Sequence, residues 1–123
     1  MSRIESHRDL KVWQKGMDLA EDVYRLAKLM PRTEEYRLIS QLLRAAASVP
    51  ANIAEGHARG TRKDYANFVN IARGSLAETE TFLLLAVRTR LLTQEQATTA
   101  LTLTGELGKM LTVLRQRLVT NPL

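Results

Sequence analysis

Apolar residues recur at helical spacing along nearly the whole chain, and prolines and glycines separate the repeats. The first repeat predicts a helix from Asp9 to Met30, which Pro31 ends because proline lacks the N–H that a helix interior needs. This helix carries two adjoining apolar stripes: Leu10, Trp13, Met17, Ala20, Tyr24 and Ala27, and Val12, Leu19, Val23, Leu26 and Met30. Together they cover about 200° of the helix circumference. Because one bundle core needs a narrower arc, the pattern predicts a second buried face and therefore an oligomer.

The second repeat predicts a helix that begins near Thr33, a candidate N-cap, and ends at Gly56 and Gly60. Its expected core positions share one face: Leu38, Leu42, Ala45, Ala46, Val49, Ile53 and Ala54. Pro50 falls inside this pattern and removes the hydrogen bond to the Ala46 carbonyl. We therefore expect a kink at Pro50.

Two further helices follow the same logic. Thr61, with Asp64 three residues on, predicts the start of a third helix, and Thr93 with Gln96 forms the capping box of a fourth. The expected core of the third is Tyr65, Phe68, Val69, Ala72, Leu76, Phe82, Leu83 and Ala86. That of the fourth is Ala97, Ala100, Thr104, Leu107, Leu111, Leu114 and Leu118. The third helix is expected to reach about Leu91, and the fourth to end at Asn121-Pro122.

Short connections between the four helices predict an all-α, antiparallel up-down-up-down four-helix bundle. The expected organisation is a flexible tail over residues 1–8, the bundle over 9–119 and a C-terminal tail over 120–123. No apolar run approaches the ~20 residues of a membrane span, and the N-terminus has no apolar signal region. These features predict a cytoplasmic protein that does not interact with a membrane.

Composition restricts the chemistry. The 123 residues include no cysteine, which excludes disulfides and thiolate metal sites. Glu55-Gly56-His57 has the wrong spacing for a di-metal carboxylate bundle, and the other histidine, His7, lies in the predicted tail. The sequence has no Gly-x-Ser-x-Gly, phosphate-binding or dinucleotide-binding motif. We therefore predict no metal, no cofactor and no enzymatic activity.

Polar residues interrupt two apolar stretches. Ser48, Asn52 and Glu55 share one side of the second helix, and Ser75 and Glu78 share one side of the third. These two sides could meet across the bundle. The five residues then form either a structural hydrogen-bonded network or a pocket with paired carboxylates that act as acid and base. We favour the structural network.

The same region carries a family resemblance. Residues 41–56, QLLRAAASVPANIAEG, closely resemble the signature of the 23S rRNA intervening-sequence proteins, which are four-helix bundles. Residues 9–17, 64–68 and 72–78 resemble other segments of that family in the same order, so the resemblance covers residues 9 to 118. His57 departs from the family pattern, where an aromatic residue is frequent, and so does Thr79, where an apolar residue is common.

The resemblance implies a bacterial bundle that assembles as a ring-shaped homopentamer. Some relatives are encoded within inserts in bacterial ribosomal RNA genes. A related branch, the accessory variability determinant of diversity-generating retroelements, is a basic pentamer that binds nucleic acid and partners a reverse transcriptase. The resemblance therefore implies RNA or DNA, and a reverse-transcriptase-like protein, as candidate partners.

The charge of the chain supports RNA or DNA as a partner. The chain has 18 Lys and Arg against 13 Asp and Glu, a net charge of +5. The excess is concentrated in the third helix and the loop before it. Its members are the candidate nucleic-acid-binding residues: Arg59, Arg62, Lys63, Arg73, Arg88 and Arg90. No aromatic residue is interleaved with them in a way that favours base stacking. The sequence thus predicts a non-enzymatic accessory protein that binds the nucleic-acid backbone; the alternative is an oligomeric protein-interaction scaffold with no nucleic-acid ligand.

Overall fold

The computed structural model describes residues 6–120, and this part of the chain is helical with no strand. Four long helices make up the fold: α1 (Lys11–Ala27), α2 (Ser40–Ala58), α3 (Arg62–Arg88) and α4 (Gln94–Val119). The predicted all-helical architecture with four helices is confirmed. The expected end of the last helix at Asn121-Pro122 lies outside the described residues.

The helices form a bundle in which each packs against the next along the chain and α4 closes against α1. Short loops make consecutive helices antiparallel. The core is aliphatic, and its largest fully buried apolar side chains come from all four helices: Leu19, Leu26, Leu42, Ile53, Leu83, Leu107, Leu111, Val23, Val49 and Val69. Because α4 closes on α1, the start of α1 lies beside the second half of α4.

Local capping sets the starts of α3 and α4 as predicted. The Thr61 hydroxyl accepts a hydrogen bond from the Asp64 N–H, at 3.1 Å. Thr93 and Gln96 form a reciprocal capping box, in which each side chain accepts from the other residue's backbone N–H. Both caps satisfy N–H groups that the first helical turn leaves without partners.

The entry to α2 differs from the prediction. Thr33 is not the N-cap. Pro31 takes that position, ahead of a single 3₁₀ turn, Arg32–Glu34. The Pro31 ring fixes its φ at −60°, and its backbone is extended, as an N-cap requires. A π-helical turn, Glu35–Ile39, follows before regular α-helix begins at Ser40. The wider turn contains a non-helical residue, Arg37, at φ −110° and ψ −110°.

The two glycines expected to end α2 have different roles. Gly60 has φ +87°, a left-handed conformation that favours glycine, and it follows the end of the helix. Gly56 instead lies buried inside α2, where an added β-carbon would sit 2.8 Å from the Phe68 Cβ. Gly56 therefore allows close approach of α3 rather than ending the helix. Pro50 lies within α2, where a β-carbon added at Gly16 of α1 would be 3.4 Å from the Pro50 Cβ.

The α-helical part of the first helix is shorter than predicted. Asp9 belongs to a separate 3₁₀ turn, His7–Asp9, and the chain after Ala27 tightens into 3₁₀-type hydrogen bonds that reach Met30. Of the two predicted stripes, the one containing Leu19 and Val23 is buried. The other is only partly covered, and we call it the α1 stripe: Leu10, Trp13, Met17, Ala20, Tyr24 and Ala27. No helix among residues 6–120 is long and apolar enough to cross a membrane.

Candidate nucleic-acid interface

Two of the predicted basic residues near the junction of α2 and α3, Arg59 and Arg62, are already bound within the protein. The Arg59 side chain donates to Glu55 at 3.0 Å and lies 4.8 Å from the centre of the Phe68 ring. The Arg62 guanidinium donates to backbone carbonyls at the end of α4, those of Arg117, Leu118 and Thr120. These carbonyls have no partner within their helix, so Arg62 completes the C-terminus of α4.

Three other predicted residues lie on one side of α3. Lys63, Arg73 and Arg88 are exposed and fall within an arc of about 80° at 100° per residue. We call these three residues the α3 row. Its successive spacings along the helix axis are about 15 and 22 Å at 1.5 Å per residue. Arg73 also donates to Asn70, at 3.2 Å, which holds its guanidinium along the helix surface.

Arg90, the sixth predicted residue, lies in the loop after α3. Its φ of 65° places it in the left-handed region, which is uncommon for a residue with a β-carbon. It is exposed, as is Arg88 at the last turn of α3. The full length of α3 separates these two arginines from Arg59 and Arg62, about 40 Å for the 27 residues of that helix. The six predicted residues thus do not form one patch.

A groove of about 630 Å³ runs between α3 and α4, beside the α3 row. Arg73 and Lys109 both line it, as do the hydroxyl-bearing Thr104 and Thr112. Small residues also line it, and a β-carbon added at Gly105 would contact nothing within 4 Å. Glu80 is the one acidic residue among the described residues that line the groove. A chain of phosphates could therefore approach the helix backbones closely, between two cationic side chains.

The fold adds basic residues that the sequence analysis missed. Lys109 and Arg117 of α4 and Lys11 of α1 line adjoining grooves. The segments that carry them are nearly neutral, so counting charge along the chain does not reveal them. An up-down-up-down topology places the start of the first helix beside the end of the fourth, and that relation is the signal that could have found them.

Part of the predicted polar network lies between α2 and α3. The hydroxyls of Ser48 and Ser75 are hydrogen-bonded at 2.8 Å. The Asn52 amide donates to the Ser48 hydroxyl and to the Ser48 carbonyl, both at 2.8 Å. Thr79, one turn beyond Ser75, is fully buried and donates to the Ser75 carbonyl at 2.8 Å. Ser48, Asn52 and Ser75 thus form a hydrogen-bonded trio that links α2 to α3.

The two carboxylates lie outside that trio. Glu55 is exposed and pairs with Arg59. Glu78 is exposed and lines a cavity of about 210 Å³ together with Ser48, Ser75 and Arg44. The structure therefore joins three of the five predicted network residues and places the two glutamates apart from them.

Aromatic residues pack where α2 meets α3. The His57 ring contacts the Tyr65 ring edge-on, at 5.7 Å between centroids. Burial raises the pKa of Tyr65 above 10.0, because an apolar environment disfavours the phenolate. Its hydroxyl is buried without a hydrogen-bond partner among residues 6–120. Within residues 6–120, no group of three or more His, Cys, Asp or Glu side chains is placed to hold a metal ion.

The geometry defines a class of protein: an all-α four-helix bundle with basic surface grooves. The family model of the 23S rRNA-intervening sequence protein matches residues 8–113, and the chain belongs to that family. A crystal structure is also similar, that of a protein of unknown function from the S23 ribosomal protein family of Bacteroides thetaiotaomicron VPI-5482. The two chains share 31% sequence identity with a TM-score of 0.80, over 85% of this chain and 98% of that one. No curated protein matches the sequence.

Proposed function

We propose that this protein is a non-enzymatic accessory factor that binds the backbone of RNA or DNA in the bacterial cytoplasm. The observation that carries the proposal is the α3 row, together with the groove beside it. Lys63 and Arg88 form no ion pair with the described residues, so both cations are free to meet phosphates. Arg73 lies on the row and also lines the groove.

The chemistry of this surface favours backbone contacts over base recognition. Its donors are lysine and arginine side chains, which bind phosphate oxygens in any sequence. The aromatic rings nearest the start of α3 are occupied: Phe68 lies under Arg59, and Tyr65 contacts His57. Because both of these rings already have partners, binding is expected to tolerate any base sequence and to weaken as salt increases.

We also propose that the protein assembles as a ring-shaped homopentamer, with α2 bent at Pro50. The α1 stripe supports self-assembly, because it leaves large apolar side chains exposed: Met17 is 45% and Tyr24 is 52% exposed. Five copies would carry a net charge of roughly +25, five times the +5 of one chain. Light scattering on Tyr24→Glu tests the assembly: a smaller particle supports burial of this stripe, and an unchanged particle contradicts it. A reverse-transcriptase-like protein is the partner that we propose for the complex with nucleic acid.

Nucleic-acid binding can be tested with a triple substitution in the α3 row: Lys63→Gln, Arg73→Gln and Arg88→Gln. We expect a fluorescently labelled single strand of RNA or DNA to bind the triple variant at least tenfold more weakly at about 50 mM salt. The matched control replaces three exposed basic residues elsewhere: Lys28→Gln, Arg32→Gln and Arg44→Gln. It lowers the net charge equally but is expected to retain most of the affinity. Equal losses in both variants would show that net charge, not the α3 row, controls binding.

A separate substitution tests the non-enzymatic proposal. Glu55→Gln removes the carboxylate that pairs with Arg59 on the surface of α2. We expect this variant to bind nucleic acid as the parent does and to differ from it only slightly in stability. Any turnover of nucleic acid by the parent that Glu55→Gln abolishes would contradict the proposal.

A further inference from the structure

A second groove, between the start of α1 and the second half of α4, has the composition of a peptide-binding site. Its volume is about 390 Å³. Apolar side chains from both helices line it: Leu10, Val12, Met110, Val113 and Leu114. Leu10, Met110 and Leu114 are half-buried, and Val113 is 44% exposed. This α1–α4 groove is therefore an apolar surface that the bundle leaves open.

Three cations border the apolar surface. Lys11, Lys109 and Arg117 line the α1–α4 groove, and none of the described residues that line it is acidic. The side chains of these three residues form no ion pair with a carboxylate of residues 6–120. An occupant that fits this groove must combine an apolar side with negative charge at its edges.

A buried polar atom points to the same conclusion. Tyr65 of α3 also lines the α1–α4 groove, and its hydroxyl is buried with no hydrogen-bond partner in the described structure. An unpaired buried hydroxyl is costly, and an acceptor supplied by an occupant would remove that cost. An aliphatic chain with a single charged head at the groove edge would leave this hydroxyl unpaired, whereas a polypeptide supplies acceptors along its length.

We propose that the α1–α4 groove binds an acidic amphipathic helix of a partner protein. Such a helix would place apolar residues at spacings of three and four on Leu10, Val12, Met110 and Leu114, with Asp or Glu side chains facing the three cations. On binding, the Tyr65 hydroxyl would turn toward the groove and donate a hydrogen bond to a polar side chain of the same helix. A nucleic acid fits less well, because the apolar floor offers its phosphates no donor. The α1 stripe of a second copy matches the three cations of this groove less well. Its border carries both signs of charge, at Glu21 and Lys28, instead of negative charge alone.

The test uses a defined probe, a fluorescein-labelled helical peptide of about 18 residues, or five turns. Leucine forms its apolar face, glutamate borders that face and one glutamine replaces a central leucine. We expect saturable binding by fluorescence anisotropy. In ¹⁵N NMR spectra, the largest amide shifts should fall on residues 10–12, 109–117 and Tyr65. A peptide with lysine in place of every glutamate should not bind.

Variants locate the contact. Lys109→Glu with Arg117→Glu should weaken peptide binding roughly tenfold or more, because two attractions become repulsions. The matched control, Lys28→Glu with Arg32→Glu, should bind the peptide as the parent does. Tyr65→Phe keeps the ring and should weaken binding about three- to tenfold, the worth of one hydrogen bond. Equal affinity of the parent and the Lys109/Arg117 variant, or of the two peptides, would overturn the proposal.

Two further outcomes would assign the groove to a different occupant and overturn the proposal. Displacement of the peptide by a 20-nucleotide single strand would make the groove part of a nucleic-acid interface. A smaller particle for Lys109→Glu with Arg117→Glu in light scattering would make it an interface between copies. The α3 row triple variant should retain peptide affinity, so failure of nucleic-acid binding and failure of peptide binding are distinguishable.

Discussion

The two sides of α3 differ sharply in how closely they meet their neighbours. Towards α2, Gly56 allows contact with Phe68, and a hydrogen-bonded trio joins the helices at Ser48 and Ser75. Towards α4, a groove of about 630 Å³ lies between the helices, and a β-carbon added at Gly105 would contact nothing within 4 Å. The side towards α2 is closed by specific contacts, whereas the side towards α4 leaves both a groove and cationic side chains exposed.

This difference separates stability from binding. The polar side chains of the trio between α2 and α3 are hydrogen-bonded to one another, so their replacement should change the free energy of unfolding. The exposed basic residues beside α4 have few internal partners, so their replacement should change binding and leave stability nearly intact. The α2–α3 contact thus holds α3 in place, and the opposite side of the same helix presents the α3 row.

Replacement by alanine at Gly56 and at Gly105 should give the largest difference in the free energy of unfolding. Gly56→Ala places a β-carbon against Phe68 and Tyr65, and we expect it to lower the free energy of unfolding by about 1–3 kcal/mol. Gly105→Ala meets no neighbour and favours the helix, so it should raise that free energy by about 0.5–1 kcal/mol. Urea denaturation of both variants measures the two effects. Equal effects would contradict the difference between the two sides of α3.

Loss of one member of the hydrogen-bonded trio should have a smaller effect. Ser75→Ala removes the hydroxyl that pairs with Ser48, and we expect a loss of about 1 kcal/mol. Thr81→Ala is the matched control, because the Thr81 hydroxyl bonds only to its own helix, on the exposed surface. Urea denaturation should show little change for Thr81→Ala. A Ser75→Ala protein as stable as the parent would mean that the trio does not stabilise the contact.

A substitution at Arg62 tests a residue that the sequence pattern predicts to bind nucleic acid. In the structure, its side chain binds the C-terminus of α4. Arg62→Gln removes donors to the last carbonyls of α4, so hydrogen exchange near residue 118 should accelerate, with a stability loss of about 0.5 kcal/mol. Its nucleic-acid affinity should fall less than that of Arg73→Gln. The reverse order of affinities would make Arg62, rather than Arg73, the main phosphate-binding arginine.

The smallest effect at neutral pH is expected for Tyr65→Phe, because the hydroxyl has no partner within residues 6–120 to lose. The raised pKa of Tyr65 means that the unfolded chain loses this proton first as the pH rises. The folded protein should therefore lose stability between the unfolded pKa, about 10, and the higher folded pKa. Tyr65→Phe should lose less stability than the parent over that interval. Parallel curves of stability against pH would contradict burial of this hydroxyl.

Features that depend on nearby residues in sequence could be predicted. The Thr61 and Thr93 caps and the buried stripe of α1 follow from local spacing, because each needs only one turn of helix or one helix face. The burial of Thr79 does not follow from an apolar pattern, because its side chain carries a hydroxyl. Buried inside α3, it satisfies that hydroxyl with the Ser75 carbonyl of its own helix.

The candidate sites depend on contacts that no local pattern contains. Arg62 leaves the predicted phosphate site because the end of α4 lies beside it, 56 residues away in sequence from Leu118. Lys11 and Arg117 border one groove only because α4 closes on α1. The pairing of Glu55 with Arg59, by contrast, was available from their spacing of four residues.

The most direct test of the account is the salt dependence of single-strand binding by the parent, the α3 row triple variant and its matched control. The logarithm of the binding constant should fall linearly with the logarithm of the salt concentration, and each phosphate contact contributes about 0.7 to the slope. We predict that the triple variant loses about 2 from the slope per protomer in contact with the strand, and that the control keeps the parent's slope. Identical slopes for all three proteins, or no binding at low salt, would contradict the assignment of nucleic-acid binding to α3.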